Sequence, residues 1–254
     1  MTEDWEKSSD EILANLAIDP DVLAKELAAE QDLDPLEEID KDDFSANNYE
    51  VENECKRALQ LLKGNKEQRI QGLRIFCEYR DKRAFPLLLP LLREPCPVER
   101  MSAVYALGRN PCPEAVDTLL DLLKNDSNAY VRRATAWSLA NYGDEVVVEP
   151  LINALKNDVA AVRLWASSSL AEAGASSPEN AQRVSTQLLI SLRIDNEPVV
   201  RSNCIWSLSR LYELLNEAIQ KEFIQECQRI YKFEDEPTLI DECKLALEAV
   251  LGAN

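Results

Sequence analysis

From residue 51 onward, apolar side chains recur at the three-and-four spacing of an α-helix, and one pattern returns six times. The segments QRIQGLRIF, ERMSAVYAL, VRRATAWSL, VRLWASSSL, VRSNCIWSL and LIDECKLAL align on one position. Arg69, Arg100, Arg132, Arg163 and Arg201 hold it, and Ile240 holds it in the last unit. The intervals are 31, 32, 31, 38 and 39 residues. Each unit continues into a second apolar helix, as in EAVDTLLDLLKN, VVEPLINALKN and AQRVSTQLLISLRI. The longer intervals fit insertions such as AGASSPEN between the two helices.

Small residues explain how such units stack. Ala103, Ala134, Ala136 and Ala166 allow close approach, and Leu107, Leu139, Leu170 and Leu208 fill the space between. A lone helix pair cannot bury its apolar face, whereas a stack of pairs can. The expected fold is all-α: an α-solenoid of about five helix pairs over residues 49–254. The helix at 237–252 lacks the arginine and carries Asp241, Glu242 and Glu248, as a capping helix would. The helix at 51–63 is the expected opposite cap. Glycine is scarce, at 6 residues, which agrees with a helical chain.

Residues 1–48 differ from this body. EILANLAI and VLAKELAAEQ place Leu13, Leu16, Leu23 and Leu27 at helical spacing, but Asp19-Pro20-Asp21 separates them. Each piece is too short and too charged to hold a helix alone. The segment reads as a solvated, partly disordered tail, or as a docking segment for this chain or a partner. Asp19, Asp21 and Glu30 fall on positions 1, 3 and 12 of a calcium loop. Leu23 and Ala24 stand where the loop needs a ligand and a glycine, so calcium is excluded.

Charge sharpens the division. Of the formal −18, residues 1–50 hold 17 acidic and 3 basic side chains, leaving 29 and 25 in the body. A nucleic-acid binder needs a basic stripe, and none is visible. No apolar run approaches the roughly 18 residues needed to span a membrane. The acidic start resembles neither a secretory signal nor a transit peptide, so a cytoplasmic protein is expected. Histidine is absent, which removes histidine bases, triads and metal ligands together. No catalytic residue and no metal site stands out.

The seven cysteines are odd in number and contain no CxxC. Cys204, Cys227 and Cys243 fall on apolar stripes and read as small core residues. The triplet Pro-Cys-Pro occurs at 95–97 and 111–113, and Pro97 and Pro113 suit helix first turns. About twelve helical residues at roughly 1.5 Å each then separate Cys96 from Cys112, too far to share an ion. Cys77 and Cys112 lie on one rim and are the candidate thiols, as donors to a cluster shared with a partner. Tyr105, Trp137 and Trp206 share one repeat position, read as core or, if exposed, as contact anchors.

The stretches NDSNAYVRRATAWSLANYG at 125–143 and NDVAAVRLWASSSLAEAG at 157–174 carry an Asp…Val-Arg-x-x-Ala…Leu…Gly signature. With them the body resembles the HEAT-repeat family, in its phycobilisome-lyase-like (PBS) subclass. The resemblance implies a structural ladder of Glu94, Arg100, Asp126, Arg132, Asp158, Arg163, Asp195 and Arg201 along the inter-repeat loops. Carboxylate and guanidinium suit such a ladder because the arginine fork donates two bonds. The alternative is a row of arginines gripping an anionic partner. The resemblance also implies that the second helices line a partner-binding groove of Phe85, Leu89, Asp117, Asp121, Glu149 and Asn153, running from apolar to acidic.

The diiron hydroxylase branch of the family needs histidine and is excluded. Two branches remain. The chain is similar to cyanobacterial adaptors that bind IscA-type iron–sulfur carriers, which implies no intrinsic cofactor beyond an iron–sulfur cluster shared with the carrier. The other branch consists of bilin lyase-type subunits or chaperones acting on phycobiliproteins of the phycobilisome. The adaptor reading is the expectation, so an enzyme is not.

Overall fold

The computed structural model describes residues 48–143 and 145–252. Among them are twelve α-helices joined by short loops and 3-10 turns. The chain divides into two compact units at Ser138 and Leu139. The first contains α1 (Asn48–Leu61), α2 (Lys66–Glu78), α3 (Phe85–Leu91), α4 (Pro97–Arg109), α5 (Val116–Asn125) and nearly all of α6 (Ala129–Leu139). The second contains α7 (Val148–Asn157), α8 (Ala160–Gly174), α9 (Pro178–Ile194), α10 (Pro198–Leu211), α11 (Glu217–Phe233) and α12 (Pro237–Leu251). In chain order these make five first-and-second helix pairs, with α1 before them and α12 after. The acidic tail lies outside the described residues, so its expected boundary is visible only as the start of α1.

Helix starts follow local chemistry. Asn65 caps α2 in a reciprocal box with Gln68, Ser177 caps α9 and Asn216 caps α11. Pro97, Pro178, Pro198 and Pro237 occupy first turns, where the missing N–H has no helical partner to lose. The two Pro-Cys-Pro triplets are such punctuation: Cys96 is the N-cap of α4, and Cys112 that of the 3-10 turn Pro113–Ala115. After α6 the chain turns at Gly143, whose φ of 55° lies in the left-handed region that favours glycine.

First helices pack on first helices within each unit: α2 on α4, and α8 on α10 on α12. Ala103, Ala106 and Leu107 are wholly buried in one unit, and Ala166, Leu170, Leu208 and Cys204 in the other. Small residues permit the approach. At Gly108 an added Cβ would stand 2.4 Å from the Trp137 ring, which lies 5.2 Å from the Tyr105 ring, centroid to centroid.

Buried polar side chains tie successive first helices together. The Asn110 amide donates to the carbonyls of Phe76, Tyr79 and Ala106, and its Oδ1 accepts from Asp81 N–H. In the second unit Asn203 donates to the Leu164 carbonyl and to the Ser167 and Ser168 hydroxyls, while Ser207 donates to the Ser167 carbonyl. The Asn110 bonds satisfy carbonyls at the C-terminal ends of α2 and α4, and those of Asn203 and Ser207 add second donors to carbonyls within α8.

Gly108→Ala tests the close approach. Helix propensity favours alanine by up to about 1 kcal/mol, but displacing a packed indole costs about 1 to 3 kcal/mol. The expected outcome in urea unfolding is net destabilisation, and an unchanged or raised midpoint would show that the ring yields freely.

Candidate functional site

The arginine at the head of each first helix has two tasks. One Nη bonds the loop before it: Arg100 Nη1 donates to the carbonyls of Glu94 and Pro95, at 2.9 and 2.8 Å. Arg132 Nη1 reaches the Asp126 carbonyl and Arg163 Nη1 the Asp158 carbonyl, both at 2.9 Å. The rest of the fork points forward to the next loop. Arg100 grips Asp126 through two bonds of 2.7 and 2.9 Å, and Arg163 grips Asp195 through two of 2.7 Å. Arg201 Nη2 donates to Glu234 at 2.8 Å. Arg69 meets Glu99 at 2.7 Å and Glu94 at 3.8 Å.

For Arg100, Arg163 and Arg201 the side-chain partner is thus a carboxylate of the following loop, and for Arg69 it is chiefly Glu99 in the first turn of α4. Asp126 and Asp195 also accept the N–H of Asn128 and Glu197, which fixes the carboxylates before the fork arrives. Asp126 and Asp195 keep 3% and 6% of their side-chain surface, so these are enclosed, bidentate pairs. Asp195 beside Arg163 raises the arginine's pKa further, and the Arg201 guanidinium lowers that of Glu234. This geometry leaves little of the fork for an anionic partner.

Two members of the ladder were not singled out by the repeat pattern. Glu99, buried inside the first turn of α4, receives Arg69. Glu234 receives Arg201, and its signal was present: it precedes Ile240 by six, as Asp126 precedes Arg132. A further cluster joins α9 to α11, where buried Glu226 accepts from Arg193 at 3.1 Å and Arg229 at 2.6 Å. Burial alone would raise the Glu226 pKa, but the two guanidinium groups hold it below the usual range.

The second helices present the candidate binding residues. In the first unit, α5 buries Leu119, Leu122 and Leu123 and exposes Asp117 and Asp121. Asp121 accepts from the Asn125 amide at 2.7 Å, and Asp117 has no ion pair among the described residues. On α3, Phe85 and Leu89 are half-buried beside fully enclosed Leu88. In the second unit, α7 exposes Glu149 and Asn153. Glu149 pairs with Arg183 of α9, and Asn153 accepts from Asn157 at 2.9 Å.

The candidate thiols are withdrawn from solvent. Cys112 keeps 1% of its surface, Cys96 5% and Cys55 2%. Cys77 is half-buried, its Sγ lies 3.9 Å from the Ser102 carbonyl, and burial pushes its pKa up to about 12. Burial raises Cys112 and Cys55 as well. Cys77 is thus turned toward α4 and Cys112 is enclosed, so the expected pair of exposed rim thiols is not present. No group of three metal-ligating side chains occurs among the described residues. Trp137 is core, while Trp206 is half-buried under Arg210, whose guanidinium sits 5.0 Å from the ring centroid. No helix among the described residues is long and apolar enough to cross a membrane.

A family model described as HEAT repeats matches residues 56–140 and 116–209. No curated protein sequence matches the chain. Among solved structures, yeast importin-beta is similar over 95% of this chain and 34% of its own, at 15% identity and a TM-score of 0.57. The complex of that importin with Nup1 gives 17% identity and a TM-score of 0.58 over the same shares. Computationally designed armadillo repeat proteins for modular peptide recognition match 77% of this chain and 98% of theirs, at 16% identity and a TM-score of 0.51. At these identities the likeness is one of fold.

The forward ladder makes two expectations. Arg100→Met strands an enclosed Asp126 carboxylate and should cost about 3 kcal/mol or more in chemical unfolding. Glu234→Gln should cost less, and only where Glu234 is ionised. Its native pKa is lowered, so its contribution is complete above the unfolded pKa and disappears as pH falls through the native one. Unfolding midpoints of Glu234→Gln and the parent should therefore converge in acid and part at neutral pH. A third expectation concerns the thiols. At pH 8 a thiol reagent should modify the native chain slowly and all seven cysteines after denaturation; rapid modification of Cys77 or Cys112 in the native chain would reverse their assignment.

Proposed function

The chain belongs to the HEAT-repeat family, and from that premise we propose that it is a non-enzymatic adaptor whose second-helix faces bind a protein partner. The observation that carries this reading is the exposed acidic edge of α5, where Asp117 and Asp121 face solvent without a compensating cation. The arginines, by contrast, are consumed in the ladder. A face of this kind complements a basic or mixed protein surface and confers register and on-rate more than raw affinity. The importin complexed with Nup1 and the armadillo proteins designed for peptide recognition carry protein or peptide binding in their names. The same use of repeated helices is proposed here.

The proposed partner is an IscA-type iron–sulfur carrier, on the strength of the sequence resemblance. With its own thiols buried, this chain would leave cluster ligation mainly to the carrier's cysteines. The repeat surface would then recognise the carrier rather than hold its metal. Absence of histidine from the sequence supports a binding role over acid–base chemistry.

Native co-purification followed by absorbance spectroscopy tests the partner. Recovery of a carrier with a broad iron–sulfur absorbance supports this reading. A red bilin band with phycobiliproteins would replace it with the lyase or chaperone role. On the surface itself, Asp117→Lys with Asp121→Lys should weaken partner binding about tenfold or more at low salt, with helical content unchanged. Unchanged affinity would remove α5 from the interface.

A further inference from the structure

Charge along this chain falls into three blocks. Residues 1–50 carry 17 acidic and 3 basic side chains, residues 51–93 carry 5 and 10, and residues 94–254 carry 24 and 15. Only the middle block is positive, and it follows directly on the most acidic one. Within it lies a cleft of about 420 Å³ beside α1 and α3. Leu59, Pro86 and Leu87 supply its apolar lining, and Lys56, Lys63 and Arg83 its cations. Glu52 is shared by Lys56 and Arg83, and Arg83 also holds Asp81. Lys63 has no ion-pair partner among the described residues. Three cations thus face two carboxylates, and the cleft keeps a positive balance.

The ladder explains why a cation stands there. Lys63 precedes Arg69 by six, the position at which later units carry Glu94, Asp126, Asp195 and Glu234. Those carboxylates receive the arginine of the preceding unit. The first unit has no such arginine before it, and its loop carries a lysine instead.

We propose that the acidic, leucine-bearing segment 11–30 of this same chain occupies the cleft. Leu13, Leu16, Leu23 and Leu27 match its apolar lining, and Glu11, Asp19, Asp21, Glu26 and Glu30 match its cations. The connection reaches easily. Residues 31–47 span up to about 55 Å when extended, whereas Lys56 lies only about 12 Å along α1 from Asn48. Tethering makes the contact intramolecular, at an effective concentration near millimolar for a short linker. Repulsion from the acidic face of α5 disfavours that surface for the same segment. The docked segment covers the α1 end of the first unit and supplies negative charge beside Lys63. This assignment is independent of which partner the second-helix faces bind.

Hydrogen–deuterium exchange of the full chain tests it. Amides within 11–30 should exchange about tenfold or more slowly than unstructured peptide. Lys56→Glu with Lys63→Glu should abolish that protection while leaving α8 to α12 unchanged. Asp19→Lys with Asp21→Lys, which leaves the helical body untouched, should abolish it too, and combining the four substitutions should restore it. Unprotected exchange in the parent chain overturns the proposal. So does protection that survives both charge reversals, which places the segment elsewhere, or protection that grows with protein concentration, which makes the occupant a second copy.

Discussion

The arginines that open α2, α4, α8 and α10 are not satisfied by their own repeats. In Arg100 and Arg163 one nitrogen closes the loop behind, and the remaining fork needs a carboxylate that only the following loop supplies. Within each unit, Arg69, Arg100, Arg163 and Arg201 therefore make a bond that their own repeat cannot supply. The pairs are enclosed, so their electrostatic attraction is poorly screened and an orphaned partner is costly. Stability in such an array is divided between repeats and interfaces, and this contact is the polar part of the interface term. Alanines and Gly108 supply the apolar part by letting the helices close up.

The direction of the ladder also accounts for its two ends. The last described helix, α12, has Ile240 where the others have arginine, and no further loop follows it among the described residues. It keeps Glu234 six residues earlier, because Arg201 still needs an acceptor. At the other end the carboxylate is dispensable, and Lys63 stands in its place.

Consuming the arginines internally shapes what remains outside. The arginines of the ladder are bound to carboxylates, while Asp117 and Asp121 are left facing solvent. Cys77 and Cys112, which might have made a reactive edge, are withdrawn into the packing, where burial disfavours the thiolate. The α5 face therefore exposes acidic side chains.

The repeat, its period and its helix pairs were legible in the sequence because apolar spacing and small residues report local geometry directly. Exposure of Asp117, Asp121, Glu149 and Asn153 followed from the same helical period. Other features depended on what packs across a loop, which period alone does not encode. Asp126 stands six before Arg132, yet its side chain belongs to Arg100, 26 residues away. Glu99 and Asn110 lie on first-turn and end positions where exposure is the usual fate, and only the neighbouring helix buries them. Cys112 sits between prolines in a loop-like sequence, yet it is covered. Sequence by itself determined the fold class, the pairing of helices in each repeat and the exposure of the polar side chains on α5 and α7. Tertiary structure decided the direction of the ladder and the burial of the thiols, because both are set by contacts between successive repeats.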